Sequence, residues 1–138
     1  MIKESFEQAK SIYLDSPFNN LIGITIEEFT EEQVVYSLLV TEKHMNVNGT
    51  LHGGVYFTML DTTVGALARV KAGYPVVTIN MNINYFSAVM KGETIKAFAK
   101  ILREGRNIIA AEGELVKEDG EIAAKATGTF KVLHKQDK

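Results

Sequence analysis

A short segment in the middle of the chain carries the residues best suited to chemistry. It reads NVNGTLHGGVYFTMLD, with His52, Gly53 and Gly54 in a row and Asp61 at its end. Asp61 is a single carboxylate among apolar neighbours, where ionisation is costly, and such carboxylates are concentrated at functional sites. The pattern fits equally well a structural carboxylate that caps a backbone turn or pairs with a distant arginine. Composition alone does not separate the two interpretations.

The two glycines lie where a loop meets a predicted helix, and they leave backbone amides unshielded. The first turn of a helix has free N–H groups and a positive dipole end, so it can polarise a carbonyl and stabilise the oxyanion formed on attack. Two glycines alone also fit a tight turn with close packing. The catalytic interpretation therefore depends on His52 and Asp61.

The spacing between these features constrains how they can act together. Gly53 and Asp61 are eight residues apart, which is ~12 Å along a helix axis, so one carbonyl cannot contact both within a single helix. Two antiparallel helices related by a twofold axis would bring Asp61 of one subunit to Gly53 of the other. The spacing predicts an obligate dimer with two equivalent composite sites.

Two helices are expected around this segment. Residues 53–68 carry one formal charge and predict a central helix that is apolar on all sides and buried. A short opening helix, interpreted as a lid packed on the domain without a role of its own, ends before Pro17 because proline disfavours helix in the residue before it. Its apolar residues recur at helical spacing: Ile2, Phe6, Ala9 and Tyr13.

Six extended segments complete the chain. Their β-branched and aromatic content and partial alternation predict a hairpin at residues 22–29 and 34–40, then strands at 76–86, 94–102, 108–116 and 122–133. Glycine turns join the last three, so we expect antiparallel neighbours. A parallel sheet would need a crossover helix for each pair of strands. The pattern predicts the α+β class, with an antiparallel sheet against one dominant helix, and 138 residues predict a single domain.

Composition excludes several classes of function. A net charge of -2 gives no basic excess for nucleic acid or an anionic membrane. The absence of cysteine excludes disulfides and thiolate chemistry, and it fits a cytoplasmic protein. No export signal, membrane span, nucleotide motif or metal-ligand spacing is present, so neither cofactor nor metal is expected. His44 and His134 are interpreted as surface residues.

From Asn46 onward, the chain resembles hotdog-fold acyl-coenzyme A thioesterases of the phenylacetate-pathway (PaaI-type) family and their mammalian relatives. The resemblance is carried by Asn46, by His52 with its two glycines, by Asp61, and by residues 76–93, VVTINMNINYFSAVMKGE; it extends to the glycine turn near Arg103. It implies a hotdog fold, a sheet of about six strands wrapped around the central helix, in a homodimer or homotetramer. It also implies an acyl-coenzyme A substrate.

The resemblance implies a role for each matching residue. Asp61 would be the nucleophile or general base, and the Gly53 amide would polarise the thioester carbonyl. Asn46 would orient water or the leaving group, His52 would hold the loop and amide in place, and Thr78 would lie beside Asp61, where the family usually has a small hydroxyl residue.

The remaining candidate residues are expected to contact the substrate. Met45, Tyr56 and Phe57 are candidates for the lining of an acyl pocket. Coenzyme A is expected to run along the end of the strand after the helix and the arginine-containing turn: Gly54, Tyr85, Phe86, Ser87, Arg103, Gly105, Arg106, Asn107 and Lys131.

Two other functions compatible with this fold are retained as alternatives. A hotdog thioester dehydratase depends on a histidine base, and His52 precedes the helix instead of occupying that context. A noncatalytic acyl-coenzyme A-binding module has no need of Asp61. Thioester hydrolysis is therefore the preferred prediction.

Overall fold

The computed structural model describes residues 3–134, which contain three α-helices, one short 3₁₀ helix (Glu42–His44) and six strands. Ile2, part of the predicted opening helix, lies outside the described residues. Helices α1 (Phe6–Leu14) and α2 (Pro17–Ile22) come first, followed by the hairpin of β1 (Thr25–Phe29) and β2 (Val34–Leu39). The long helix α3 (Gly53–Ala72) then leads to β3 (Val76–Tyr85), β4 (Thr94–Glu104), β5 (Ile108–Lys117) and β6 (Ile122–Val132).

The strands form one antiparallel sheet in the order β1-β2-β4-β5-β6-β3. β1 and β3 are its edges, and within the described residues β3 pairs only with β6. The predicted antiparallel sheet is confirmed, including the neighbouring positions of the last three strands. No helix within residues 3–134 combines the length and apolar composition needed to cross a membrane.

The core lies between α3 and the face of the sheet that packs against it. One face of β4 and one face of β6 are buried, with Ile95, Ala97, Ala126 and Phe130 at most 1% exposed. The helix approaches β5 closely at Gly113, where an added Cβ would lie 2.6 Å from a methyl carbon of Val64. Glycine at this position therefore sets how near α3 lies to the sheet.

Helix α1 is fixed to α3 and to the edge hairpin. Ser5 caps its N-terminus in a capping box with Gln8. Arg69 on α3 donates two hydrogen bonds, of 2.8 and 2.7 Å, to the Glu4 carboxylate, and both side chains are largely buried. Tyr13 packs against Phe29 with the two rings tilted and their centroids 5.9 Å apart, and burial raises the pKa of Tyr13 to about 12. The predicted packing of this helix on the domain is confirmed.

A second helix occupies the position where the sequence predicted a break. Pro17 does end α1, but it also begins α2, with Ser16 as the N-cap accepting a 3.3 Å hydrogen bond from the Asn19 amide. Proline is well tolerated in the first turn of a helix, because the amide it lacks would be unpaired there. The first strand therefore starts at Thr25 and not at Ile22.

The prediction that His44 lies at the surface is wrong. Its side chain is 3% exposed. Nδ1 accepts a 3.0 Å hydrogen bond from the Thr41 amide, and Nε2 donates a 2.6 Å hydrogen bond to the Ile22 carbonyl. These contacts bind the loop after β2 to the end of α2, so both ring nitrogens serve the fold. His134 is only partly buried and donates to the Arg106 carbonyl.

Candidate active site

The first amides of α3 lie at the positive end of the helix, and their partners differ. His52 is the N-cap, and its Nδ1 accepts a 2.8 Å hydrogen bond from the Gly54 amide. A Cβ on Gly54 would lie 3.0 Å from that nitrogen, so glycine permits the close approach. The Gly53 N–H has no acceptor among the described residues, and the first turn contains no acidic side chain. This amide is therefore available to a ligand oxygen.

Asn46 organises the loop that leads into α3. Its Oδ1 accepts hydrogen bonds from the amides of Asn48 and Thr50, at 2.8 and 3.0 Å, and its Nδ2 donates to the Thr50 hydroxyl at 2.9 Å. These bonds use the carbonyl oxygen and one amide hydrogen of Asn46 and leave the second hydrogen for another partner. Within one protomer, Asn46 therefore stabilises the loop that precedes Gly53 in the chain.

A cleft of about 570 Å³ opens at this end of α3. Tyr85 donates a 3.0 Å hydrogen bond to the Gly53 carbonyl, and Tyr56 donates a 2.8 Å bond to the Ser87 carbonyl. Burial raises the pKa of both tyrosines. The lining contains five of the predicted site residues besides Gly53: Asn46, Gly54, Tyr85, Phe86 and Ser87. Of the predicted acyl-pocket residues, Tyr56 lies here.

Asp61 opens into a second cleft, of about 250 Å³. Its side chain is half-buried, and its Oδ1 accepts a 2.8 Å hydrogen bond from the Thr78 hydroxyl on β3. Thr78 thus lies beside Asp61 as the sequence resemblance implied. Across residues 3–134, no three histidine, aspartate or glutamate side chains converge in a way that could hold a metal ion.

The N-terminal helices form one wall of the Asp61 cleft, a role that the sequence analysis did not assign to them. Tyr13 belongs to α1, Ser16 is the N-cap of α2, and Phe18 and Asn19 belong to α2. Gly65, one turn beyond Asp61 on α3, lines the same cleft.

Within one protomer, the two clefts are separate. Gly53 and Tyr85 line the first, whereas Asp61 and Thr78 line the second, and no residue is shared between them. β3 runs from the second cleft, at Thr78, to the first, at Tyr85. This separation agrees with the ~12 Å along α3 between Gly53 and Asp61.

The predicted phosphate-binding residues lie at the Asp61 end of the sheet. Lys131 on β6 pairs with Val77 on β3, next to Thr78. Val77 is eight strand residues, or about 26 Å, from Tyr85 at the other end of β3. Lys131 points to the outer face, opposite the side of the sheet that faces Asp61. The turn after β4 lies at this end too, because the Asn107 carbonyl accepts from the Val132 amide. Within one protomer, the predicted substrate-binding residues therefore form two groups at opposite ends of the sheet. One group is Tyr85, Phe86 and Ser87, and the other is Arg103, Gly105, Arg106, Asn107 and Lys131.

Residues 48–124 match the sequence profile of the thioesterase superfamily. The chain belongs to the thioesterase superfamily. A mouse relative, acyl-coenzyme A thioesterase 13, is 34% identical over 108 residues, which cover 77% of this chain and 77% of that protein. The prediction that the protein is a thioester hydrolase is confirmed by this membership.

Two solved structures illustrate the shared fold. The PaaI protein of the E. coli phenylacetic acid degradation operon has a TM-score of 0.86 at 21% identity, covering 92% of this chain and 91% of that one. A Streptococcus mutans protein, solved bound to acetyl CoA, has a TM-score of 0.77 at 25% identity, covering 83% and 92%. The predicted hotdog fold and PaaI-type family are confirmed.

Proposed function

We propose that the protein hydrolyses an acyl-coenzyme A thioester to a free acid and coenzyme A, at sites that each combine Asp61 of one protomer with the Gly53 amide of its partner. The observation that carries the proposal is the Gly53 N–H at the positive end of α3, which has no acceptor within residues 3–134. Such a donor stabilises negative charge on a carbonyl oxygen under attack. The superfamily's chemistry, thioester hydrolysis, needs this stabilisation.

Each group then has a defined task. The thioester carbonyl oxygen accepts from the Gly53 amide, and Asp61 either attacks the carbonyl carbon to form an anhydride or removes a proton from an attacking water. The C–S bond breaks, and the sulfur leaves as a thiolate. Water supplies the oxygen of the new acid and the proton that the thiolate takes up. Thr78 keeps the Asp61 carboxylate oriented.

The edge strand β3 supports assembly of the site from two protomers. Val77 and Ile79 on β3 are 47% and 55% exposed, and an uncovered edge strand with apolar side chains is normally paired or covered. Antiparallel pairing of β3 with the partner's β3 brings the end that carries Thr78 to the end that carries Tyr85. The Asp61 cleft of one protomer then lies against the Gly53 cleft of the other.

The same pairing unites the two groups of predicted substrate-binding residues. The partner's cleft supplies Tyr85, Phe86 and Ser87 next to the Gly53 amide. The protomer that contributes Asp61 also contributes the turn at its end of the sheet, where Arg103 and Arg106 can pair with phosphate through their planar guanidinium groups. The acetyl CoA bound to the Streptococcus mutans relative supports coenzyme A as the carrier. The remaining proposed contacts are Gly54, Gly105, Asn107 and Lys131.

A thiol-release assay with short, long and aromatic acyl-coenzyme A esters tests the proposal. We expect the wild type to release thiol and Asp61→Asn to lose about 10²–10⁴-fold in kcat while it still binds the ester in calorimetry. Asp119→Asn is the matched control, because it removes the same charge at a surface turn. Binding without thiol release by the wild type would contradict hydrolysis and would identify a noncatalytic binding module.

A further inference from the structure

Gly65 occupies a position in α3 where the helix itself does not require glycine. It lies in the interior of the helix, and a glycine there destabilises a helix relative to alanine. The glycines of the described chain with positive φ lie elsewhere, at turns and helix ends: Gly23, Gly49, Gly73, Gly92 and Gly120. Backbone conformation therefore does not explain this residue.

Core packing does not require glycine at this position either. A Cβ built on Gly65 would meet the ring of Phe130 at 3.4 Å, which is ordinary van der Waals contact. A Cβ built on Gly113, by contrast, would lie only 2.6 Å from a methyl carbon of Val64. Alanine therefore fits at residue 65 without moving the sheet, unlike at residue 113.

The remaining consequence of the missing side chain is space beside Asp61. Gly65 follows Asp61 by one helical turn, so the two residues share a face of α3, and both line the 250 Å³ cleft. We propose that Gly65 is a specificity-determining residue whose missing side chain leaves room for the acyl group of the substrate. This proposal rests on the proposed function.

The position of the reacting carbonyl places the acyl group in this cleft. In the composite site, the thioester carbonyl lies between Asp61 and the partner's Gly53, so the Asp61 cleft adjoins the carbonyl. The acyl group then extends into this cleft, between Gly65 on α3 and Phe18 on α2. A cleft of 250 Å³ is below the ~300–1,000 Å³ of typical ligand pockets. It suits an acyl group of a few carbon atoms or one ring, for which a single added methyl matters.

The test compares kcat/KM for benzoyl-, butyryl- and acetyl-coenzyme A in Gly65→Ala and Gly65→Val. We expect the benzoyl-to-acetyl ratio to fall by about tenfold in Gly65→Ala and further in Gly65→Val, since one methylene in a pocket changes selectivity about 10–200-fold. The Tm of Gly65→Ala should be equal to or above that of the wild type, because alanine favours the helix. Ala72→Val, in the last turn of α3 and outside both clefts, should keep the wild-type ratio.

Phe18→Ala provides a second variant whose folding is not in question, because Phe18 is 55% exposed. It should also lower the benzoyl-to-acetyl ratio, through lost apolar contact with the ring. A ratio within about twofold of wild type in Gly65→Ala would overturn the assignment of Gly65, and an unchanged ratio in Phe18→Ala would contradict the placement of the acyl group in this cleft. If the wild type releases no thiol from any ester, the proposed function fails. If the wild type releases thiol and Asp61→Asn does not, the proposed function holds. Unchanged benzoyl-to-acetyl ratios in the Gly65 variants would then defeat only the role of Gly65.

Discussion

The Thr78 hydroxyl donates a 2.8 Å hydrogen bond to Oδ1 of Asp61, linking the edge strand β3 to the central helix α3 at the candidate catalytic carboxylate. A carboxylate held at one oxygen is restricted in its rotation about the side-chain bonds. In a nucleophile or general base, such orientation contributes to the rate because the reacting oxygen is already in place.

Removing this hydrogen bond should slow hydrolysis without preventing folding. Thr78→Val keeps the β-branched shape and loses the hydroxyl, so we expect kcat to fall roughly 10–100-fold, as a bond to a charged group contributes ~1.5–3 kcal/mol. Thr78→Ser keeps the hydroxyl and should retain most of the activity. Steady-state kinetics of both variants provides the check, and equal activity in the two would remove the hydroxyl from the mechanism.

Removing the Gly53 N–H should abolish most activity with little effect on the fold. Proline is favoured at the first position of a helix, and His52 before it already has an extended backbone, with φ -65° and ψ 136°. We expect Gly53→Pro to lose about 10²–10³-fold in kcat, as for other oxyanion donors. Gly53→Ala retains the amide and should remain active. Circular dichroism must show both variants folded, and an active Gly53→Pro would contradict the amide's role.

Two variants separate the role of His52 as the N-cap of α3 from any chemical role of its imidazole. His52→Ala removes the acceptor for the Gly54 amide, so we expect the free energy of unfolding to fall by about 1 kcal/mol. His52→Asn supplies a preferred capping residue and should restore stability. Urea denaturation measures this effect. If Asn restores stability and kcat together, His52 acts by holding the helix start; stability restored without kcat would point to a role of the imidazole itself.

Ionisation of Tyr13 should lower the stability of the folded protein at alkaline pH. Its pKa is about 12 in the folded protein, against an ordinary value of 10.0, because burial disfavours the phenolate. The unfolded chain therefore loses this proton first, and the contribution of Tyr13 to stability is complete below pH 10 and is lost as the pH approaches 12. Tyr13→Phe should show a shallower decline of Tm between pH 10 and 12. Parallel Tm profiles for the two proteins would contradict the raised pKa.

Most of the fold follows from local sequence patterns. The apolar run after Gly53 predicts α3, and alternation with glycine turns predicts the last three strands. The prediction failed at Pro17, which fits both the end of α1 and the start of α2, since proline suits the first turn of a helix as well as the break before one. Local sequence does not distinguish these two cases.

The missed features of the site depend on contacts between distant parts of the chain. The hydrogen bond from His44 to the Ile22 carbonyl joins residues 22 positions apart, so nothing near His44 in the sequence signals its burial. Likewise, Tyr13 and Phe18 reach the Asp61 cleft only because α1 is bound to α3 through Glu4 and other contacts. Spacing along one helix, by contrast, was sufficient to predict that Gly53 and Asp61 do not meet within a protomer.

The most direct test of the composite site is the activity of mixed dimers formed from two inactive variants, Asp61→Asn and Gly53→Pro. In a mixed dimer, one site carries both substitutions, and the other has the native Asp61 and Gly53. The composite site predicts that each variant alone is inactive. It also predicts that an equimolar mixture, refolded or co-expressed, regains about a quarter of wild-type activity, because half of the dimers are mixed and each mixed dimer has one native site. A mixture as inactive as its two components would contradict it.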